Sequence, residues 1–344
     1  MEKTITFGIP CYNAAAYMDK CITSILEGSD YAEDVEIVIV DDGSIKDDTP
    51  QKADEWAERY PTIIRAVHQE NGGHGRAVMA AVGAASGAYF KNIDSDDWFD
   101  AEALQRLLTA LRRFNELDNP VDLVITNYVY EHVEDGTQHI VDYRHVLPVG
   151  RVFTWEEIGH FKRTQYLLMH ALTYRTKTLR SANLQMPAHT FYVDNIYAYV
   201  PFPKCHTLYY LDVDLYRYFI GREDQSVNDA VLTSRVDHYW RVARVMWEAY
   251  HLYDDVQPRK LREYMMGYFT IIMAICSVFS KKSDRPNAEE QLHKLWADLK
   301  AYDPKMYRRA RHGVVGIVTN LPGLVGKDIT LWGYRVAQRH VKFN

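Results

Sequence analysis

The sequence predicts an α/β fold: a mixed, mostly parallel sheet with helices on both faces, followed by a helical C-terminal region. Two observations lead to this prediction. Over the first 130 residues, short apolar runs alternate with helix-like segments, and from about residue 231 onward the pattern is that of long helices. Near-continuous apolar strands separated by helices are typical of a parallel sheet built with right-handed crossovers.

The elements of the first part follow one another in a regular order. The predicted strands occupy residues 4–9, 36–40, 63–68, 88–93 and 122–126. The predicted helices occupy residues 14–28, 49–59, 75–86 and 100–114. Each of the first four strands is followed by polar, glycine-rich or acidic residues. Because ligands of open parallel sheets bind outside the carboxyl ends of the strands, we expect these residues to line a binding site.

The pattern changes after residue 130. Residues 130–232 are rich in tyrosine and irregular, and long helices are predicted over 234–253, 259–280 and 287–300. The apolar run 265–280 is 16 residues long. A bilayer requires roughly 20 residues, so this run predicts a buried helix first and an interfacial helix second.

Charge and cysteine usage narrow the class of protein. The net charge is −6, yet the residues from 305 onward hold eight Lys and Arg against one Asp. A basic tail on an otherwise acidic chain disfavours a nucleic-acid-binding protein and indicates an anionic partner for the tail. The four cysteines form no CxxC pair, and the N-terminus lacks the layout of a signal peptide. We therefore expect a cytoplasmic protein without disulfides or a zinc site.

The segment "YFKNIDSDDWFD" (89–100) places four carboxylates just after the fourth predicted strand. Packed carboxylates repel one another unless a cation or hydrogen-bond donors compensate. Oxygen ligands of this kind suit Mg²⁺ or Mn²⁺. The alternative is that these carboxylates cap the next helix, which we favour for Asp100 and leave open for Asp97.

Two further motifs follow strands. "VDDGS" (40–44) by itself is equally well explained as a turn, but at a strand end its carboxylates can accept from a base or a ribose hydroxyl. "NGGHGRA" (71–77) opens a helix, whose N-terminus favours phosphate. It matches neither the GxGxxG fingerprint nor the P-loop, so a dehydrogenase and a P-loop nucleotidase are disfavoured.

Together, "IPCYN", "VDDGS", "NGGHGRA" and "IDSDD" resemble the motifs of family 2 glycosyltransferases, in the same order over about 90 residues. The resemblance covers residues 3–130 closely and extends weakly to about 230. It implies the Rossmann-like GT-A fold, with a catalytic domain over 1–230, divided into a nucleotide-sugar-binding half (1–130) and an acceptor half (131–230). Residues 231–344 would form a helical region with a basic tail suited to a membrane surface.

The resemblance also implies roles for individual residues. Tyr12 would lie against a uracil, and Asp96, with Asp94, would hold Mn²⁺ or Mg²⁺ on the diphosphate as the DxD motif. Arg222 and Ser226 would reach the diphosphate, although Arg222 could equally lie in a solvated turn. The implied nucleotide-sugar-binding residues are Pro10, Tyr12, Asn13, Asp41, Asp42, Asn71, Gly73, Arg76, Asp94, Ser95, Asp96, Arg222 and Ser226.

The catalytic residue implied by the resemblance is Asp194. The family places a general base at the start of a helix about 90–100 residues after the DxD motif, and Asp194 lies 98 residues after Asp96. The usual Glu-Asp pair is Val193-Asp194 here, so the assignment depends on one carboxylate. Helix capping by Asp194 is the alternative. Lone histidines are more often structural than metal-ligating, which is our interpretation of His74, His170, His189 and His206.

The implied function is metal-dependent, inverting transfer of one sugar from a UDP-hexose or UDP-HexNAc to a hydroxyl of a lipid-linked or cell-surface glycan. The processive members of the family carry a QxxRW motif and transmembrane helices, and neither is recognised here. A polyprenyl-phosphate glycosyltransferase is one alternative, for which "NGGHGRA" argues, and a non-catalytic nucleotide-sugar-binding protein is another. The tail over 305–344 would attach the enzyme to the inner face of the membrane or pack as a lid.

Overall fold

The computed structural model describes residues 3–133, 135–162, 165–221 and 229–323, together with Gly326, Asp328, Thr330 and Leu331. The chain forms two compact units. The first comprises Met1–Gly159 and Leu167–Arg222, and the second His160–Tyr166 and Glu223–Asn344. The predicted boundary near residue 230 stays a prediction.

The first unit begins with the parallel half of a ten-stranded sheet. Its strands are β1 (Ile5–Cys11), β2 (Val35–Asp41), β3 (Ile64–His68) and β4 (Tyr89–Asn92), and its helices are α1 (Met18–Gly28), α2 (Thr49–Arg59) and α3 (His74–Ala84). The strands lie in the order β3-β2-β1-β4, all parallel. Apart from the start of α1, these elements lie within about two residues of their predicted bounds. The carboxyl ends of the four strands therefore meet at one edge.

Helix α1 begins at Met18, four residues later than predicted. The cause is tertiary: the amide of Ala14 donates to Thr49 Oγ1 at 2.7 Å, and that of Ala15 donates to Asp47 Oδ2 at 3.0 Å. These bonds hold residues 14–17 in a turn outside the helix.

The second half of the sheet is mixed. Its strands are β5 (Trp98–Phe99), β6 (Leu123–His132), β7 (Thr137–Val141), β8 (Val152–Phe153), β9 (Leu172–Arg175) and β10 (Leu208–Ile220), and its helices are α4 (Ala101–Asn115), α5 (Thr176–Ser181) and α6 (Asp194–Tyr199). Strand β9 lies antiparallel between β4 and β6, and β10 pairs in parallel with β6 and antiparallel with β5. Residues 130–232, which show no clear periodicity, thus contain several strands.

The core of the first unit lies on both faces of β1 and β2, whose residues are all buried. Phe7, Ile9 and Ile37 have no exposed surface. At Gly8 an added Cβ would lie 2.7 Å from the Cβ of Ala81, because α3 packs directly against β1 there. Burial of each large apolar side chain stabilises the fold by roughly 1.5–3 kcal/mol. Two-sided burial explains why these strands are continuously apolar.

The second unit is helical. It contains α7 (Asp229–Ser234), α8 (Val236–Glu248), α9 (Leu252–Asp255), α10 (Arg259–Lys282), α11 (Ala288–Tyr302), α12 (Pro304–His312) and α13 (Val314–Thr319). Among the described residues, α10 alone is long and apolar enough to cross a membrane, and 67% of its most apolar window is buried within the protein. This burial agrees with the first interpretation of that run, a core helix. An α/β protein with a mixed sheet and C-terminal helices is confirmed.

Candidate active site

The loop after β2 is organised around the buried carboxylate of Asp42. Its oxygens accept hydrogen bonds from the amides of Gly72 at 2.9 Å and Gly73 at 2.7 Å, and from the side chain of Gln69 at 2.6 Å. Neighbouring Asp41 accepts from the amide of Ser44 at 3.0 Å. The two carboxylates therefore shape the loops that follow β2 and β3.

Gly73 joins this loop to the segment that precedes α6. The amide of His189 donates to the carbonyl of Gly72 at 2.8 Å. Gly73 has φ +84°, and an added Cβ would lie 2.9 Å from the nitrogen of His189. Only glycine tolerates both that backbone conformation and that approach. The 71–73 loop and the 186–193 segment are thus held together by their backbones.

Asp94 occupies the carboxyl end of β4 and pairs with His74, the first residue of α3. His74 Nε2 lies 2.9 Å from Asp94 Oδ1, which also accepts from Asn92 Nδ2 at 3.2 Å. Burial by itself would raise the pKa of Asp94, but the charge of His74 lowers it below its ordinary value. Conversely, burial lowers the pKa of His74, and Asp94, with Asp194 and Asp96, raises it. The pair is therefore ionic, with side chains 27% (Asp94) and 35% (His74) exposed.

Asp97 and Asp100 have structural partners. Asp97 is buried and accepts from the hydroxyl of Tyr216 at 2.5 Å and from the amide of Phe219 at 2.8 Å. Burial, and the charges of Asp96 and Asp94, raise the pKa of Asp97 well above its ordinary value. Asp100 is the N-cap of α4, as predicted, and accepts from the amide of Ala103 at 3.0 Å. Asp97 thus ties the acidic segment to β10, and Asp100 begins a helix.

Asp194 is the first residue of α6, and Val193 occupies the N-cap position. Burial raises the pKa of Asp194 to about 6. The charge of His74 lowers this pKa, and the charge of Asp94 raises it. The charges of His74 and Asp94 therefore act on Asp194 within one site. A carboxylate with a pKa near neutrality suits proton transfer.

The residues after β1 line the same edge of the sheet. Pro10 is buried within β1, whereas Tyr12 as a whole residue is 48% exposed. Asn13 has φ +51°, and its side-chain oxygen accepts from the amides of Ile45 at 3.2 Å and Lys46 at 3.0 Å. Asn13 therefore braces the loop after β2, and Tyr12 leaves an aromatic face available.

The remaining predicted residues have varied surroundings. The side-chain amide of Asn71 donates to the carbonyl of Asp42 at 2.9 Å. Arg76 is exposed on α3 and forms no ion pair within the described part of the chain. Ser95 lies beside the thiol of Cys11. Arg222 and Ser226 lie outside the described residues.

Two histidines that sequence reasoning grouped with structural ones lie at this site. His74 pairs with Asp94, and its place inside "NGGHGRA" was the signal that could have indicated this. His170, just before β9, is buried, and one nitrogen of its ring and carboxylate oxygens of Asp94 and Asp97, all atoms able to ligate a metal, lie within 4.8 Å of one another. No local signal in the sequence marks His170. His189 and His206 are exposed.

The donor atoms at the end of β4 fit a divalent cation. Asp94 and Asp96 are partly exposed carboxylates, and Asp94 Oδ2 accepts no hydrogen bond from any described residue. Hard cations such as Mg²⁺ and Mn²⁺ prefer carboxylate oxygens, and one or two carboxylates suffice when phosphates complete the shell. Asp94 and Asp96 therefore have the chemistry required to hold such an ion.

An acidic strand end, a carboxylate with a raised pKa and a GT-A-like sheet are features of a sugar-transferring enzyme. The model of the family described as glycosyl transferase family 2 matches residues 6–182, more than half of the chain. The chain therefore belongs to glycosyl transferase family 2.

Curated relatives include two proteins of Bacillus subtilis strain 168. The uncharacterized glycosyltransferase EpsJ is 28% identical over 227 residues, covering 63% of this chain and 61% of the relative. The putative glycosyltransferase EpsH is 32% identical over 128 residues, covering 37% of this chain and 34% of the relative. The matches thus span less than two thirds of either relative.

Solved structures with a similar fold include residues 1–349 of TarS from S. aureus. The TM-score is 0.65 at 16% identity, and the match covers 97% of this chain and 92% of that one. The mannosyltransferase PcManGT of Pyrobaculum calidifontis, in complex with GDP-Man and Mn²⁺, has a TM-score of 0.53 at 17% identity, covering 96% of this chain and 88% of that one. At these identities the likeness concerns the fold alone, and the predicted GT-A-like fold is confirmed.

Proposed function

We propose that this protein is an inverting, divalent-metal-dependent glycosyltransferase that moves one sugar from a UDP-sugar to a hydroxyl of a lipid-linked or cell-surface glycan. One observation carries the proposal. Asp194, with a pKa of about 6, shares a site with Asp94 and His74 at the carboxyl ends of the parallel strands. That arrangement combines a candidate base with a cluster of charges suited to a nucleotide diphosphate.

The donor would lie across the carboxyl ends of β1, β2 and β4. The half-exposed ring of Tyr12 offers a face on which a base can stack. Asp41 and Asp42 would contribute mainly through the loops that they organise, since both are buried. Arg76, exposed in the first turn of α3, would supply a cation toward phosphate. TarS has been crystallised with UDP-GlcNAc and with UDP, which favours a UDP-linked donor.

Asp96 and Asp94 would hold Mn²⁺ or Mg²⁺ beside the diphosphate. Such an ion, when bound, neutralises the charge of the leaving group as a Lewis acid. The Mn²⁺ named with GDP-Man in the PcManGT structure supports a divalent ion in this fold. His74, paired with Asp94, keeps that carboxylate ionised and adds a positive charge at the site.

Asp194 would act as the general base. Its carboxylate would accept the proton of the acceptor hydroxyl as that oxygen attacks the anomeric carbon, opposite the departing UDP, so that configuration inverts. Burial holds the pKa of Asp194 near 6, so the group is ionised at pH 7 yet basic enough to accept a proton. Its position at the start of α6 favours the ionised form.

The donor class is tested by release of the nucleoside diphosphate, UDP or GDP. Purified protein with Mn²⁺ is incubated with UDP-Glc, UDP-Gal, UDP-GlcNAc and UDP-GalNAc, and with GDP-mannose for comparison. We expect one or two of the UDP-sugars to be turned over at least about tenfold faster than GDP-mannose, the ratio produced by a difference of 1.4 kcal/mol in activation free energy. A preference for GDP-mannose would contradict a UDP-linked donor.

We also propose that α12 and α13 contact an anionic membrane surface, where a lipid-linked acceptor would be found. Lys305, Arg308 and Arg309 are exposed on α12, and Val314 and Ile317 are 65% and 47% exposed on α13. Basic residues beside exposed aliphatic ones suit anionic headgroups, each charge being worth about 1 kcal/mol. Of the predicted basic tail, Lys327, Arg335, Arg339 and Lys342 lie outside the described residues.

The membrane proposal is tested by sedimentation with liposomes. The double variant Arg308→Glu/Val314→Asp should bind phosphatidylglycerol liposomes at least about tenfold more weakly than the wild type, as expected for the loss of more than 1 kcal/mol. Point substitutions are preferable to deletion, because Met306 and Ala310 on α12 are buried. Lys294→Glu, an equally exposed charge reversal on α11, is the control. Unchanged sedimentation of the double variant would contradict membrane contact.

A further inference from the structure

A buried imidazole without a partner lies behind the acidic segment. His170 is 6% exposed, and neither Nδ1 nor Nε2 has a hydrogen-bond partner among the described residues. Burial lowers the pKa of His170 to about 4, so the ring is neutral, with one N–H donor and one acceptor. A buried polar group left unpaired is costly, and each such group in a native fold requires an explanation.

Packing does not require a polar ring at this position. The imidazole is surrounded by Tyr128, Tyr216 and Tyr218, at ring-centroid distances of 5.6, 4.7 and 4.8 Å. The backbone is held separately, since Lys91 Nζ donates to the carbonyl of His170 at 2.7 Å. A phenyl ring would fit an aromatic surrounding of this kind without unpaired atoms. The two nitrogens therefore serve a partner other than the protein.

One ring nitrogen of His170 lies near two carboxylates of the site. A ring nitrogen of His170 and carboxylate oxygens of Asp94 and Asp97 lie within 4.8 Å of one another, without a direct hydrogen bond to His170. Such a gap suits one bridging oxygen atom. Asn92 Oδ1, on the amide that donates to Asp94, is also buried and unpaired. Unsatisfied polar atoms thus surround Asp94, which is itself partly exposed.

We infer that His170 recognises the donor sugar. A ring hydroxyl of the sugar occupies the space between His170 and Asp94, accepts a hydrogen bond from the imidazole and donates one to the carboxylate. This inference rests on the proposed function, because it takes the end of β4 as the place of the donor. His170 is then a residue that determines which sugar is accepted, by recognising one hydroxyl that a different sugar lacks or presents elsewhere.

The competing occupant is an ordered water molecule, which would make His170 a purely structural residue. The two cases differ in what a variant loses. If a sugar hydroxyl fills the space, loss of the imidazole weakens binding of the UDP-sugar but not of UDP, which lacks the sugar. If water fills it, substitution changes stability and leaves the ratio of the two affinities unaltered.

The test compares His170→Phe with the wild type by calorimetric titration with UDP and with the preferred UDP-sugar, without acceptor. We expect the Kd for UDP to stay within about twofold, the Kd for the UDP-sugar to rise about tenfold, and Tm to be unchanged or higher. Thr173→Val is the control, because Thr173 Oγ1 is also buried and unpaired nearby on β9. That variant should leave both Kd values unchanged.

A second comparison identifies the hydroxyl. Deoxy analogues of the donor should bind the wild type about tenfold more weakly at one ring position, and His170→Phe should lose that discrimination. His170→Gln, which keeps a donor and an acceptor, should recover part of it and answers the same question if His170→Phe folds poorly. If His170→Phe lost affinity equally for UDP and the UDP-sugar, or lost it for neither, this inference would be overturned and the proposed function would stand. A wild-type protein that binds no nucleotide-sugar would overturn the proposed donor class as well.

Discussion

Replacement of Asp194 by Asn is expected to lower kcat for sugar transfer by about 10²–10⁴-fold, the range for loss of a general base. The Kd for UDP should change less than about twofold, because the variant keeps the size of the side chain and removes only a proton acceptor. Steady-state kinetics and titration with UDP provide the two measurements. An Asp194→Asn enzyme with near wild-type kcat would show that another group accepts the proton.

The pH profile provides an independent check of the same assignment. Burial raises the pKa of Asp194 to about 6. Below that pH the carboxyl is protonated and accepts no proton, so kcat/KM of the wild type, which reports the pKa of the free enzyme, should fall about tenfold per pH unit, and above pH 7 this group imposes no further rise. The pH profile of the residual activity of Asp194→Asn should not show this decrease below pH 6. A wild-type profile that stays flat through pH 6 would contradict the assignment.

Replacement of Asp96 by Asn is expected to abolish most metal-dependent turnover. In the proposed mechanism the substitution removes a carboxylate ligand, and an ion on a leaving group supplies several kcal/mol of transition-state stabilisation, so kcat/KM should fall by about 10²–10⁴-fold. Affinity for Mn²⁺ in the presence of UDP, measured by electron paramagnetic resonance, should fall in parallel. The second readout tests whether the loss of turnover follows the loss of the ion.

The matched control is Asp100→Asn, which removes the same charge four residues later. Asp100 caps α4 and pairs with Arg217 at 2.9 Å, away from the proposed ion. Asn is as good a helix cap as Asp, so this variant should keep turnover and Mn²⁺ affinity within about twofold. If Asp96→Asn retained full transfer with UDP-sugar and Mn²⁺, the proposed role of Asp96 would be wrong.

The parallel half of the sheet was predictable because local sequence determines it. Strands β1, β2 and β4 are buried on both faces, whereas β3, at the edge of the sheet, keeps Arg65 and His68 exposed. Each of the four is followed by polar, glycine-rich or acidic residues.

Strand β10 could not be recognised from the local pattern alone, for a physical reason. It is 13 residues long, mixes tyrosines with Asp212, Asp214 and Arg217, and shifts register between Tyr210 and Tyr216. That irregularity interrupts the two-residue alternation by which a strand is recognised.

The residues of the candidate site likewise fall into those that the sequence predicts and those that only the folded structure reveals. Asp94, Asp96 and Asp194 could be proposed from motifs and spacing, and Asp100 from helix capping. The partners of Asp97 could not, because Tyr216 and Phe219 follow it by about 120 residues on a strand that local pattern does not reveal. His170 was missed for the same reason, since its meaning depends on the tyrosines around it. Pairings of this kind arise only from tertiary packing.

The backbone junction between the 71–73 loop and the 186–193 segment has a consequence for redesign. In the 71–73 loop, the carboxylate of Asp42 holds the amides of Gly72 and Gly73. These two glycines in turn contact the backbone of His189 in the 186–193 segment. A graft that replaced only one of these segments would leave the other without its counterpart. Chimeras that aim to change which sugar is transferred, or to what, should therefore exchange both segments as one cassette, and a library that varies them independently would contain mostly mismatched pairs.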